Sequence, residues 1–243
     1  MIDCDPMSKI VPLPRGDARA AVLEAARQLF AARGLHEVTM AEVAQAAGVA
    51  RATVFNQFGS KHALVDAITA EVLAGYVMLL DNALTQRDVP TPVLIRTLFE
   101  TMGRGIEDNE RFYRAVFREI AKVSLGLDEG GDVQRMRMTA LDRLLQLHTR
   151  GQARGDLVRD RRPEDMASAF DGLVFGTIVH WLYEARGEPL HARMLRAAEI
   201  LLGGCAADPD AVHEGPIPIL YVAPDAPRPA RPAARRKARR KRR

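Results

Sequence analysis

The sequence predicts an all-α protein, and three observations carry that prediction. Apolar residues recur at three- and four-residue steps through most of 17–203, which is the spacing of one helix face. No segment keeps a two-residue alternation rich in β-branched residues, the mark of a half-buried strand. Glycines and prolines punctuate the periodic runs, at Gly34, Gly48, Gly126, Gly151, Gly155, Pro163, Gly187 and Pro189, where they act as breaks.

Residues 1–16 hold Pro6, Pro12 and Pro14 and no helical period, so they read as a flexible arm. The first helix is expected over 18–33. Its core face is Ala21, Val22, Ala25, Leu29 and Phe30, with Asp17 as N-cap and Gly34 as C-cap. Thr39 caps a short helix over 40–47, Gly48 breaks it, and a second short helix follows over 50–55. Ser60 opens a long helix expected to reach 82, and 87–92 is a linker. Further helices are expected near 92–108, 110–123, 133–152, 163–186 and 190–203.

The informative stretch is MAEVAQAAGVARATVFNQF, residues 40–58. Two short helices joined by a tight turn need a small residue where they cross, a glycine in the turn and a branched apolar residue pinning the second helix. Ala44, Gly48 and Val54 meet those needs, and Val43, Ala47, Val49 and Phe58 complete a small core. This is the pattern of a helix-turn-helix, whose second helix enters the DNA major groove. Its exposed positions are Arg51, Ala52, Thr53, Asn56 and Gln57, several of which can hydrogen-bond base edges or phosphates.

From Ala18 to Leu73 the chain resembles the DNA-binding domain of the TetR/AcrR family of bacterial transcriptional regulators. The matching residues are AARQLFAARGLHEVTM and EVAQAAGVARATVFNQFGSKHALVDAI. The resemblance implies a three-helix DNA-binding domain over 17–62. A long helix joins it to a helical effector-binding and dimerisation domain over 63–204. It implies backbone contacts from Thr39, Thr53 and Lys61 and sequence reading by Arg51 and Gln57. Two positions depart from the family pattern. Phe55 lacks the hydroxyl of the usual tyrosine, and Gln57 stands where a histidine is frequent.

Helix 163–186 is apolar nearly all round, so more than one face must be covered. Gly172 and Gly176 lie one turn apart on it. With 190–203 it is expected to form a homodimer interface through Leu173, Ile178, Leu182, Met194 and Leu201. An apolar effector pocket is expected among Phe99, Met102, Tyr113, Phe117, His148, Phe175, His180 and Trp181, since such sites are apolar with a few placed polar groups.

The charge divides unevenly. Residues 224–243 hold ten Arg/Lys and one acid, a net of +9. Of the 35 bases and 31 acids in the chain, 25 and 30 remain in 1–223, a net of −5. Seven prolines after 204 make 205–243 a disordered basic tail by composition, suited to a polyanion.

The longest uncharged run in the strongly apolar regions, 172–183, has twelve residues, short of the roughly 18 that a membrane span needs. No membrane partner is therefore expected. Cys4 and Cys205 form no CxxC or Cys/His cluster, so no metal and no cofactor are expected. No GxSxG, HExxH, Walker loop or dinucleotide-binding glycine pattern is present. The sequence reading is a cytoplasmic, nucleoid-associated, homodimeric repressor that leaves a palindromic operator on double-stranded DNA when a small molecule binds. A non-specific DNA-coating protein and a helical ligand carrier or enzyme are the alternatives.

Overall fold

The computed structural model describes residues 15–127, 131–184 and 187–204. Both cysteines and the expected arm up to residue 14 lie outside them, as does the basic tail. Nine helices are present among the described residues: α1 Arg15–Arg33, α2 Met40–Ala46, α3 Arg51–Phe58, α4 Lys61–Thr85, α5 Thr91–Glu107, α6 Glu110–Ser124, α7 Gly131–Arg154, α8 Pro163–Tyr183 and α9 Leu190–Gly203. No strand occurs among these residues.

Four helix ends differ from the sequence reading by three residues, the others by two or fewer. Helix α1 begins at Arg15, so Asp17 lies inside it instead of capping it; an acidic residue suits the first turn as well as the cap. Helix α3 runs a full turn past Phe55 to Phe58, where Gly59 at φ 72° donates its N–H to the Phe55 carbonyl at 2.7 Å. That left-handed conformation suits a glycine at a helix end. Helix α4 continues to Thr85. Helix α8 stops at Tyr183, because Glu184 takes an extended backbone.

Two hydrophobic cores share α4. The first gathers Val22, Ala26 and Phe30 of α1, Val43 and Ala44 of α2, Val54 and Phe58 of α3, and Leu64, Val65, Ile68 and Leu73 of α4. Phe112, Val116 and Ile120 of α6 and Val133 of α7 close it. The second holds Val77, Leu80 and Ala83 of α4 with buried residues of α5, α7, α8 and α9. At its centre Phe99 and Phe170 meet edge to face, 4.8 Å apart, a favoured aromatic geometry. Helix α4 is long and apolar enough to cross a membrane by length and composition. Its apolarity has another use here: it supplies buried residues to both cores.

Helices α5 and α9 cross closely at Gly103. A Cβ there would lie 2.6 Å from the His191 Cα, a backbone atom that cannot swing aside. Gly103→Ala is therefore expected to destabilise the fold by about 1–3 kcal/mol, read as a lowered midpoint in urea unfolding. An unchanged midpoint would mean that α9 shifts freely against α5.

Candidate nucleic-acid interface and ligand cavity

Helix α2 is held by a capping box. The Thr39 hydroxyl accepts the Glu42 N–H at 3.2 Å, and the Glu42 carboxylate accepts the Thr39 N–H at 2.7 Å and its hydroxyl at 2.8 Å. Such a box satisfies donors left over at the helix start. Arg33 of α1 donates to the same carboxylate at 2.7 Å. The Arg33 hydrogen bond, then those from Thr39, hold the Glu42 pKa down at about 2 against an ordinary 4.5. Its contribution is therefore present above 4.5 and is lost as pH falls through about 2. Thr39, expected to meet the DNA backbone, is exposed, with its hydroxyl proton given to Glu42.

Gly48, at φ 65°, makes the turn, and Val49 donates to the Ala44 carbonyl at 3.0 Å. A side chain bearing Cβ is strained at such a φ. Helix α3 then starts at Arg51 with no side-chain cap, because Ala50 has none to offer. Its first N–H groups are left to solvent or to an anion. Val54 and Phe58 are buried. Arg51, Ala52, Phe55 and Asn56 are exposed, and Thr53 and Gln57 are half-buried. The Arg51 guanidinium stands over the Phe55 ring at 5.4 Å from its centre. The Gln57 side-chain carbonyl is buried and has no hydrogen-bond partner among the described residues. Lys61 stands half-buried at the start of α4, where Ser60 caps the helix through the Ala63 N–H. Burial lowers the Lys61 pKa, against the pull of Glu42. Arg19 of α1, which the sequence reading missed, places its guanidinium over Phe58 at 4.5 Å. It adds a cation beside α3. The pattern of α1 gave no sign of this, because the contact joins two helices.

A cavity of about 740 Å³ lies between α1 and helices α4 to α8, within the usual size range of small-molecule sites. Of the eight candidates, Met102, Tyr113, Phe117 and Phe175 line it. The other four candidates do not. Phe99 is fully buried against Phe170, and His148 is buried with Nδ1 2.8 Å from the Leu144 carbonyl. His180 is exposed, beside Glu184 at 2.8 Å. Trp181 donates its indole N–H to the Glu188 carbonyl at 2.9 Å. Helical spacing selected these apolar and aromatic residues without showing which face meets the void. Among the residues missed are Arg27, Leu73, Tyr76, Thr97, Arg137 and Asp171. They come from five helices, so no local pattern joins them.

Helix α6 lines this cavity with Phe112, Tyr113, Phe117 and Ile120 and also grips the N-terminal helices. Arg111 donates to the Ala32 carbonyl at 3.2 Å, and Arg118 lies 3.3 Å from the His36 ring. Glu119, only 4% exposed, pairs with Lys122 at 2.5 Å and faces His62 of α4 at 3.9 Å.

The expected dimer residues divide between two faces. Ile178, Leu182 and Met194 are fully buried within their own chain, and Leu201 is nearly so, which corrects their assignment to an interface. On α8 the buried stripe is Phe170, Val174, Ile178 and Leu182, at four-residue steps. Counting apolar residues around the helix could not separate this stripe from the outer one. Leu173 lies on the outer side, in a shallow groove with Gly172, Gly176, Thr177, His180 and Arg193. Ile200 of α9 is 74% exposed.

Residues 22–68 match the family model described as bacterial regulatory proteins, tetR family. The regulator AlkX of Mycobacterium tuberculosis is 44% identical over 103 residues, 42% of each chain. The fold is similar to that of SmeT, the repressor of a Stenotrophomonas maltophilia multidrug efflux pump. There the TM-score is 0.63 at 21% identity, covering 88% of this chain and 100% of SmeT. It is also similar to the Thermus thermophilus repressor FadR in complex with lauroyl-CoA. That TM-score is 0.59 at 23% identity, covering 76% of this chain and 94% of the other. The capped helix-turn-helix of α2 and α3 lies within the segment 22–68 that matches bacterial regulatory proteins of the tetR family, and the all-helical body has the fold seen in SmeT and FadR.

Proposed function

We propose that the protein is a homodimeric repressor that binds a palindromic operator and leaves it when a small apolar effector enters the cavity. One observation carries this reading. The cavity wall includes Arg27 of α1 and Leu73 and Tyr76 of α4, and α1 and α4 pack in one core with α3. An occupant therefore bears on the helices that hold α3. By linkage, the effector must bind the DNA-free arrangement more tightly than the DNA-bound one. Residues 17–62 read DNA and 63–204 bind the effector and dimerise, with α4 running across the boundary. The outer face of α8, with its two glycines, and exposed Ile200 of α9 supply the dimer surface. The protein works in the cytoplasm, on the nucleoid.

Arg51 and Gln57 read bases, while Thr39, Thr53 and Lys61, with Ala52, Phe55 and Asn56 beside them, meet the backbone or the groove wall. The test begins with selection of an operator from random DNA by the purified chain. Arg51→Ala and Gln57→Ala are then expected to weaken operator binding by about 1–3 kcal/mol per lost base contact and to relax base preference. Lys61→Ala is expected to weaken all sequences alike. Unchanged affinity and preference in the first two variants would remove α3 from the groove.

A further inference from the structure

The charges around the cavity decide what kind of molecule it accepts. Three cations, Arg27, Arg104 and Arg137, and three anions, Glu71, Glu100 and Asp171, stand on its wall. The arginines are all spoken for. Arg27 pairs with Glu24 at 2.5 Å, Arg104 with Glu100 at 2.9 Å, and Arg137 with Asp171 at 3.2 Å. Glu71 is engaged as well. An anionic ligand would find no uncompensated cation here, and burying its charge unpaired is costly. The remaining polar groups near the void are neutral hydroxyls. The Thr97 hydroxyl already donates to the Val93 carbonyl at 2.9 Å. Tyr76 lines the cavity, and its buried hydroxyl has no hydrogen-bond partner among the described residues. Burial, with Asp171 nearby, pushes the Tyr76 pKa well up, so it stays a phenol.

We propose that the cavity takes a neutral, largely apolar molecule carrying one hydrogen-bonding group, such as a long-chain alcohol, and that the Arg137–Asp171 pair excludes anionic amphiphiles. Asp171 is then a specificity-determining residue. By occupying the Arg137 guanidinium, it denies a carboxylate or phosphate its partner. The hydroxyl of the ligand meets the Tyr76 hydroxyl, which has no hydrogen-bond partner among the described residues. This inference rests on the reading of the cavity as the effector site. It separates this chain from FadR, the similar structure that holds lauroyl-CoA.

The experiment is equilibrium dialysis of the full chain against radiolabelled dodecan-1-ol below its solubility limit, and against dodecanoate and lauroyl-CoA below their micelle concentrations. Release of operator DNA is measured in parallel. The wild type is expected to bind dodecan-1-ol about ten-fold or more tighter than dodecanoate, because only the second carries a charge into the cavity. Asp171→Asn frees Arg137 and is expected to shift the preference toward dodecanoate by about ten-fold. Tyr76→Phe is expected to weaken the alcohol about five-fold, the loss of one hydrogen bond, and to leave dodecanoate unchanged. Dodecanoate or lauroyl-CoA binding the wild type as tightly as the alcohol would overturn the ligand class while leaving the effector site standing. An unmoved preference in Asp171→Asn would overturn the role of Asp171. Binding of the alcohol without release of operator would support the ligand class and overturn the effector reading. No binding of any of the three would overturn both.

Discussion

Leu173→Glu is expected to give a folded monomer that has lost most of its operator affinity, while Ile178→Glu is expected not to fold. The two residues lie five positions apart on α8 and look alike in sequence, but Ile178 is fully buried while Leu173 is only partly buried at the edge of the same core. Leu173 lines the outer groove beside Gly172 and Gly176. Ile178 is fully buried in the stripe that packs against the rest of its own chain. A glutamate at 173 puts a charge between two copies and leaves each copy intact. A glutamate at 178 buries an unpaired charge, which costs about 4 kcal/mol or more. Losing the dimer removes the second half-site. Joining two binding modules raises affinity by about 10²–10⁴-fold over either one alone, and Leu173→Glu should lose that factor. Sedimentation gives the oligomeric state, circular dichroism the fold, and a gel-shift titration the affinity. A dimeric Leu173→Glu with wild-type affinity would move the interface off this face.

Removing residues 224–243 is expected to flatten the salt dependence of DNA binding without loss of operator preference. That segment holds ten Arg/Lys and one acid, against a net of −5 in the rest of the chain. Each phosphate neutralised adds about −0.9 to the slope of log affinity against log salt. If four or five of the ten bases engage at once, the truncation loses roughly 4 units of slope. The effect is the same on operator and on random DNA, so the ratio between them holds or improves. Salt titrations of the full chain and of 1–223 on both DNAs measure it. Equal slopes would take the segment out of DNA binding. A loss confined to operator would mean that it reads sequence or shape. A full chain with a ratio near one would favour the non-specific coating reading over the repressor.

The sequence by itself determined whatever rests on neighbours in the chain. A helix end depends on the few residues around it, so Thr39, Gly48 and Ser60 marked α2, the turn and α4 directly. The helix-turn-helix core was legible for the same reason: Val43, Ala44, Val54 and Phe58 fall within sixteen residues of one another. Where the misses occurred, the deciding partner lay far along the chain. The cavity joins Arg27, Tyr76, Thr97, Arg137 and Asp171 from five helices, and periodicity identifies a helix face without saying what it meets. Phe99 and His148 share the composition of a lining residue, yet the crossing of helices put both in the core. Ile178 and Leu182 were assigned outward because α8 is apolar nearly all round, and Met194 of α9 was assigned with them. Only the packing of α8 against α7 and α9 chose which stripe turned in. The pairing of Arg137 with Asp171, 34 positions apart, was likewise a decision of the tertiary structure. A sequence shows that charges exist, but only their distances show which of them a ligand would find unpaired.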